Sequence, residues 1–118
     1  MKIKTFQGGY DKNLSYLIYC EETKMAAVID PAVASTPIFE CIERLDLILT
    51  KILITHTHHD HYQYLSDYLF YQPNTQICCH NQSINLFSNY NVKGLSDNEV
   101  VSLGETLFIA IYTPGHYH

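Results

Sequence analysis

Residues 55–61 read Thr-His-Thr-His-His-Asp-His and place four histidines and one aspartate within six consecutive positions. Imidazole nitrogen and carboxylate oxygen are ligands for divalent transition metals such as zinc, iron or manganese. If the chain stays extended here, the side chains of His56, His58 and Asp60 point to one side, because alternate residues of a strand share a face. His61 can join them from the start of the next element. The spacing therefore predicts a metal site.

The spacing differs from the His-Glu-x-x-His pattern, in which two ligands share one face of a helix. A surface cluster of histidines that binds nothing is the competing interpretation. The apolar run Ile52-Leu53-Ile54 before the cluster, and the apolar-periodic segment after it, favour a metal site over that alternative. His59, the spacer within the cluster, is predicted to face solvent.

A further histidine lies in the run Thr113-Pro114-Gly115-His116, which follows a predicted strand. Proline and glycine favour a tight turn, so His116 is expected at the end of that strand. A turn histidine is weak evidence of a site by itself. It becomes a candidate ligand through its combination with the cluster at 56–61.

The composition of the chain fits one folded domain. It has 118 residues, of which 47% are hydrophobic and 16% charged, as in globular rather than disordered chains. The formal net charge is −5 and the seven Lys and Arg residues are scattered, which disfavours a nucleic-acid partner. No apolar stretch approaches about 18 residues and no signal-peptide pattern opens the chain. We therefore expect no membrane insertion and a cytoplasmic location.

Four cysteines are present, and none has the Cys-x-x-Cys spacing of a zinc ribbon or a redox pair. We expect reduced thiols in apolar surroundings rather than a disulfide framework. These residues are Cys20, Cys41, Cys78 and Cys79.

Strand and helix patterns alternate along the chain, which predicts an α/β fold whose sheet needs covering. A helix is predicted from Thr36, with Pro37 in its first turn, to about Arg44. A second helix is predicted at 60–71 and a short one at 83–88, whereas 89–98 has a loop-like composition. Strands are predicted at 2–6, 15–20, 25–29, 51–55, 76–79, 100–103 and 107–112, with a turn cluster at 7–11.

The His-x-His-x-Asp-His cluster and the Thr-Pro-Gly-His turn together resemble the metallo-β-lactamase superfamily. The strand at 14–18 and the element Val28-Ile29-Asp30-Pro31 are similar to the N-terminal half of its members, and the similarity is greatest to glyoxalase II-like thioester hydrolases, the hydroxyacylglutathione hydrolases. The resemblance implies that residues 1–118 are a partial metallo-β-lactamase-like domain, the N-terminal βα half of an αββα sandwich.

By that resemblance, His56, His58 and His116 bind a first metal ion, and Asp60 and His61 contribute to a second. Zinc is the expected ion, with iron and manganese as alternatives. The implied reaction is attack by a metal-bound hydroxide on the carbonyl carbon of a small-molecule thioester, with Asp60 as the catalytic residue that orients the nucleophile.

Asp30 has two open interpretations, because an aspartate after a strand either steers a ligand histidine or caps a turn. The resemblance also implies a bridging carboxylate and one more histidine downstream of the turn, whereas the sequence stops two residues after His116. We therefore expect that the second half of the domain is absent, that one sheet face is uncovered and prone to self-association, and that these residues alone have impaired or no activity.

Three alternatives to a thioester hydrolase stay open at this point. An iron-dependent persulfide dioxygenase of related fold would use His56 and His116 together with a downstream aspartate. A nuclease of the superfamily is disfavoured by the absence of a basic run. An inactive metal-binding fragment, stabilised by a partner chain, is the alternative without catalysis.

Overall fold

The computed structural model of the chain describes residues 1–8, 13–55 and 62–109. Within these residues, six strands form one sheet in sequence order, and two more form a separate hairpin. The strands of the sheet are β1 (Lys2–Gly8), β2 (Asn13–Tyr19), β3 (Met25–Ile29), β4 (Ile48–Leu53), β5 (Gln76–His80) and β6 (Val92–Leu95), and the hairpin consists of β7 (Val100–Leu103) and β8 (Thr106–Ile109). The helices are α1 (Thr36–Arg44), α2 (Leu65–Tyr71) and a 3₁₀ helix (Asn81–Phe87).

The sheet is antiparallel at one end and parallel at the other. β2 pairs antiparallel with β1 and with β3. From β3 to β6 the strands run parallel, so their carboxyl ends meet at one edge of the sheet. Parallel strands need crossover connections, which here contain α1, α2 and the 3₁₀ helix.

One face of the sheet packs against the helices. Helix α1 has apolar side chains at helical spacing, and Ile38, Cys41 and Ile42 are buried. Helix α2 buries Leu65 and Tyr68 on the same side. These residues form one core cluster with sheet residues of β2 to β5, which are Leu17, Tyr19, Ala26, Val28, Leu49, Ile52, Ile77 and Cys79.

The opposite face of the sheet packs against the β7–β8 hairpin. Val101 and Leu103 of the hairpin are buried, and Phe108 packs against the same cluster. The sheet residues beneath them are Ile18, Ala27, Leu53, Cys78 and Leu95, all of them buried. In the part of the chain that the structure describes, the sheet therefore has a layer on each face, as expected for an α/β fold that must bury both sides of its parallel strands.

A β-bulge in β4 changes which side chains face the helices. The pairing of β3 with β4 shifts between Ala26, opposite Leu49, and Ala27, opposite Lys51, so Thr50 is the extra residue. The Thr50 hydroxyl donates a hydrogen bond to the Ala26 carbonyl at 3.2 Å. Because of the bulge, Leu49 and Ile52 both face the helices although they are three residues apart.

Most predicted elements match, and β6 is the main correction. The bounds of β3 agree with the prediction, and α1 begins at Thr36. The prediction of a loop at 89–98 is wrong, because Val92–Leu95 forms a strand parallel to β5. This four-residue strand has a glycine in it and too little local pattern to be recognised. Its pairing with β5 gives hydrogen-bond partners to the backbone N–H and C=O groups along that edge of β5.

Helix α2 begins later than predicted. Within 62–71, the helix starts at Leu65, and residues 60 and 61 of the predicted helix lie outside the described residues. The backbone N–H of Tyr64 donates to the Pro31 carbonyl at 3.1 Å. This N–H therefore joins the start of α2 to the segment after β3. The turn cluster predicted at 7–11 is also partly wrong, because Gln7 and Gly8 belong to β1.

All four cysteines are free and buried. The expectation of apolar surroundings is wrong for Cys20. Hydrogen bonds from the Thr23 side chain, and then from the backbone N–H groups of Thr23, Glu105 and Glu22, lower the pKa of the Cys20 thiol to about 6. Burial instead raises the pKa of Cys78 and of Cys79, as in an apolar environment.

The hydroxyl of Tyr68 has no hydrogen-bond partner among the described residues, although the side chain is fully buried against Phe39. A buried hydroxyl that loses its water without gaining a partner destabilises the folded state. Tyr68→Phe should therefore raise the free energy of unfolding by about 1 kcal/mol. Urea unfolding followed by circular dichroism measures this difference.

Tyr71→Phe is the matched control on the same helix. The Tyr71 hydroxyl donates to Glu43 Oε1 at 2.6 Å, so this substitution removes a satisfied hydrogen bond. It should lower the free energy of unfolding by up to about 1 kcal/mol. A greater loss of stability in Tyr68→Phe than in Tyr71→Phe would contradict the assignment of an unsatisfied hydroxyl.

Candidate functional site

The predicted ligands His56, His58, Asp60, His61 and His116 all lie outside the described residues, as does His59. The structure describes the residues that flank the cluster at 56–61, which are Thr55 and Tyr62. Among the described residues, no group of three or more His, Cys, Asp or Glu side chains could hold a metal ion. The structure therefore shows how the residues on either side of the cluster are held.

The upstream flank is held by Asp30, which follows β3. Its Oδ1 accepts the backbone N–H of Thr55 at 2.7 Å, and its Oδ2 accepts the Thr55 hydroxyl. The Asp30 backbone N–H donates to the Leu53 carbonyl at 2.8 Å. Asp30 is buried and adopts a left-handed φ of 57°, which aspartate tolerates better than most residues. These contacts fix the residue immediately before His56.

Asp30 is held in turn by Ser15 of the neighbouring strand β2. The buried Ser15 hydroxyl donates to the Asp30 carbonyl and accepts the backbone N–H of Ala32 at 3.0 Å. The Ala32 N–H also lies 2.7 Å from the Asp30 carbonyl oxygen. Residues 30–32 therefore form a tight, internally bonded turn at the carboxyl end of β3.

The downstream flank returns to this turn. The Tyr64 N–H donates to the Pro31 carbonyl at 3.1 Å, and Gln63 Nε2 donates to the Ala32 carbonyl at 3.3 Å. Tyr62 packs edge-on against Phe87, with ring centroids 5.1 Å apart. The turn at 30–32 thus binds Thr55 on one side of the segment 56–61 and Gln63 and Tyr64 on the other.

A cavity of about 190 Å³ opens at the same edge. In doubly wound α/β sheets, ligands bind outside the carboxyl ends of the parallel strands. The apolar wall includes Ile29, Leu53, Leu95 and Phe108. The polar side chains that line the cavity are Thr55, His80, Ser96 and Asp97.

The sequence predicted only some of the residues that hold the two sides of the cluster or line the cavity beside it. Asp30 was a candidate, and it both closes a turn and binds Thr55; contact of Asp30 with a ligand histidine falls outside the described residues. Ser15 and His80 were not identified from the sequence. Ser15 reaches Asp30 through the pairing of Tyr16 with Ile29, which the sequence does not reveal. The position of Thr55, directly before the cluster, was the available signal for its role.

Proteins with similar sequences include named hydrolases, and proteins with similar structures include metallo-β-lactamases. Over 92% of its length the chain is 31% identical to a probable hydroxyacylglutathione hydrolase of Schizosaccharomyces pombe. Over 97% it is 31% identical to a probable polyketide biosynthesis zinc-dependent hydrolase of Bacillus subtilis. The crystal structure of a metallo-beta-lactamase from Staphylococcus aureus superposes with a TM-score of 0.83 and 25% identity, covering 99% of this chain. In sequence and in fold, the chain is therefore similar to part of the members of the metallo-β-lactamase superfamily.

These similarities confirm the predicted α/β fold and the resemblance to glyoxalase II-like hydrolases. The chain spans 41% of the yeast relative, 51% of the Bacillus relative and 36% of the staphylococcal metallo-β-lactamase. No protein-family model matches the chain. None of the described helices has the length and apolar character needed to cross a membrane.

Proposed function

We propose that the full-length protein is a metal-dependent hydrolase that cleaves small-molecule thioesters. The observation that carries this proposal is the pair of anchors on the turn at 30–32, which hold Thr55 and Tyr64 on either side of the histidine cluster. Enzyme sites need their ligands held by rigid neighbours, and hydrogen bonds to the buried Asp30 provide this at the upstream flank. The names of the relatives support hydrolysis as the reaction.

The donor set of the cluster fits a metal ion. In the proposal, His56, His58 and His116 hold a first ion, and Asp60 and His61 contribute to a second. Imidazole and carboxylate ligands suit zinc, which the name of one relative supports, and also iron or manganese. When bound, such an ion polarises a carbonyl group and lowers the pKa of a coordinated water.

The residues of the chain have separate tasks in this proposal. Asp60 orients the attacking water towards the carbonyl carbon. Asp30 fixes Thr55, and thereby the backbone from which His56 projects. The apolar wall of the cavity, with Leu53 and Leu95, would receive the apolar part of a substrate and exclude bulk water beside the reacting group.

Thioester hydrolysis by the zinc-loaded full-length protein tests the proposal. Release of thiol from an acyl-glutathione should fall at least about a hundredfold after chelation and return on adding zinc. The matched substrate is the corresponding persulfide, with oxygen uptake as the readout. Thiol release that chelation leaves unchanged would contradict the proposal, and oxygen uptake would indicate the dioxygenase instead.

Further predictions from the sequence stay predictions. These are the cytoplasmic location, the absence of a nucleic-acid partner, the partial domain at 1–118 and self-association through an uncovered sheet face. The β7–β8 hairpin packs on that face over Ile18, Ala27 and Leu53, which reduces the area open to a second copy. Sedimentation of the purified protein measures the association.

A further inference from the structure

A groove of about 490 Å³ opens between α1 and α2. Its walls come from residues 35–39 at the start of α1 and from residues 67–71 of α2, and the lining side chains are Ser35, Thr36, Phe39, Asp67, Phe70 and Tyr71. None of these six described residues lines the cavity at the carboxyl edge of the sheet. The groove is therefore a separate surface, and the proposed function makes no use of it.

Aromatic rings form one wall of the groove. The Phe39 and Tyr71 rings stack with their centroids 4.3 Å apart, and Phe39 meets the buried Tyr68 ring edge-on at 5.1 Å. The Tyr71 hydroxyl donates to Glu43 Oε1 at 2.6 Å, which fixes the Tyr71 ring. Phe70, by contrast, keeps 91% of its surface exposed. A wall of fixed rings beside a largely exposed one can receive a flat cationic group.

A carboxylate in a fixed position lies beside these rings. Ser35 is at the N-cap position of α1, but its hydroxyl makes no capping bond and donates instead to Asp67 Oδ2 at 3.2 Å. Asp67, Phe70 and Tyr71 are spaced i, i+3 and i+4 on α2, so they share one face of the helix. Among the described residues, neither Asp67 nor Glu43 forms an ion pair with a cationic side chain.

The one arginine of the sequence, Arg44, lines a different groove. Its Nη2 donates to Cys41 Sγ at 3.7 Å, and the groove that it lines also contains Lys4 and Glu40. Arg44 therefore does not neutralise the carboxylate of the aromatic groove. A positive charge from another molecule would complement that carboxylate.

We propose that the groove between α1 and α2 binds an arginine side chain on the surface of a partner protein. A guanidinium group is planar, stacks on aromatic rings and presents a fork of N–H groups that fits a carboxylate such as Asp67. The exposure of Phe70 favours a protein over a free small cation, because a protein surface around the arginine would cover this ring. The inference is independent of the proposed function.

Three substitutions of exposed residues separate recognition from a structural role. Asp67→Asn removes the charge but keeps an oxygen that accepts the Ser35 hydroxyl. Phe70→Ala removes a ring that buries little surface, so the fold should keep its stability. Glu40→Gln is the matched control, because it removes one exposed carboxylate of α1 that does not line this groove. A purely structural role of Asp67 predicts unchanged peptide binding by folded Asp67→Asn.

NMR titration of the full-length protein with acetyl-Gly-Arg-Gly-amide measures the binding, and the backbone amides of residues 67–71 report where the peptide binds. The matched peptide with citrulline keeps the flat group without its charge, and the one with lysine keeps a charge without the flat group. The native protein should bind the arginine peptide about tenfold more tightly than the citrulline peptide and about threefold more tightly than the lysine peptide. Asp67→Asn should weaken binding of the arginine peptide about fivefold, Phe70→Ala about threefold and Glu40→Gln less than about twofold.

The outcomes decide between the possible occupants of the groove. Equal affinities for the arginine and citrulline peptides, no shifts at residues 67–71, or equal losses in Asp67→Asn and Glu40→Gln would overturn the proposal. Equal affinities for the arginine and lysine peptides would reject a guanidinium as the recognised group. Self-association in sedimentation that Asp67→Asn and Arg44→Gln both abolish would assign the groove to a second copy of this chain instead. The expected order of affinities would support the proposal whether or not the protein hydrolyses thioesters.

Discussion

Replacing His58 by alanine should lower the zinc affinity of the full-length protein by more than about a hundredfold. In the proposed site His58 is one of three histidines around the first ion, and its removal leaves two protein ligands. Changing a residue that merely supports a ligand costs about 10- to 100-fold in metal affinity, so loss of a ligand should cost more. Competition with a chromophoric chelator gives the affinity, and native mass spectrometry gives the number of ions per chain.

The neighbouring histidine supplies the control. His59 is the spacer of the cluster, so His59→Ala should change zinc affinity by less than about threefold. Asp60→Asn should spare the first ion and impair binding of the second. Full metal stoichiometry in His58→Ala would show that the ligand assignment is wrong, and equal losses in His58→Ala and His59→Ala would indicate a nonspecific histidine cluster.

Replacing Asp30 by alanine should destabilise the fold and weaken metal binding together. The substitution leaves the Thr55 N–H and hydroxyl without their acceptor, and it puts alanine at a φ of 57°. Stranded donors and a left-handed alanine together should lower the free energy of unfolding by about 3 kcal/mol. Since Thr55 precedes His56, zinc affinity should fall about 10- to 100-fold. Urea unfolding of the metal-free protein and chelator competition measure the two effects separately.

Asparagine at position 30 is the matched variant. It tolerates the left-handed φ and keeps one acceptor for the Thr55 N–H, but it lacks the second carboxylate oxygen for the hydroxyl. Asp30→Asn should therefore lose about 1 kcal/mol of stability and less than about tenfold in zinc affinity. If folded Asp30→Ala bound zinc as tightly as the native protein, Asp30 would serve the fold alone.

Local sequence patterns were sufficient to predict elements whose apolar residues repeat at the spacing of a strand or a helix within the element itself. The apolar run of β3 predicted that strand, and the helical spacing of Ile38, Ile42 and Leu45 predicted α1, because burial on one face is visible in the sequence. The histidine cluster was equally visible, because ligand chemistry depends on residue type and spacing. These features require no knowledge of distant contacts.

Features that depend on pairing between distant segments were not predictable. The bulge at Thr50 arises from the register between β3 and β4, and no residue type marks it. The strand Val92–Leu95 forms because the edge of β5 offers it partners. The role of Ser15 follows from its position beside Asp30 across two strands, and the pairing of His80 with Asp97 follows from the order of β5 and β6.

The turn at 30–32 has a consequence for the order of assembly of the protein. Its hydrogen bonds to Thr55 and Gln63 join residues 25 and 31 positions apart in the chain. Contacts of this separation form only after the intervening chain has closed a loop, which costs conformational entropy that the packing of β3, α1 and β4 must offset. In the proposed function, metal loading is therefore a late step of folding, after Thr55 and Gln63 have been bound to this turn.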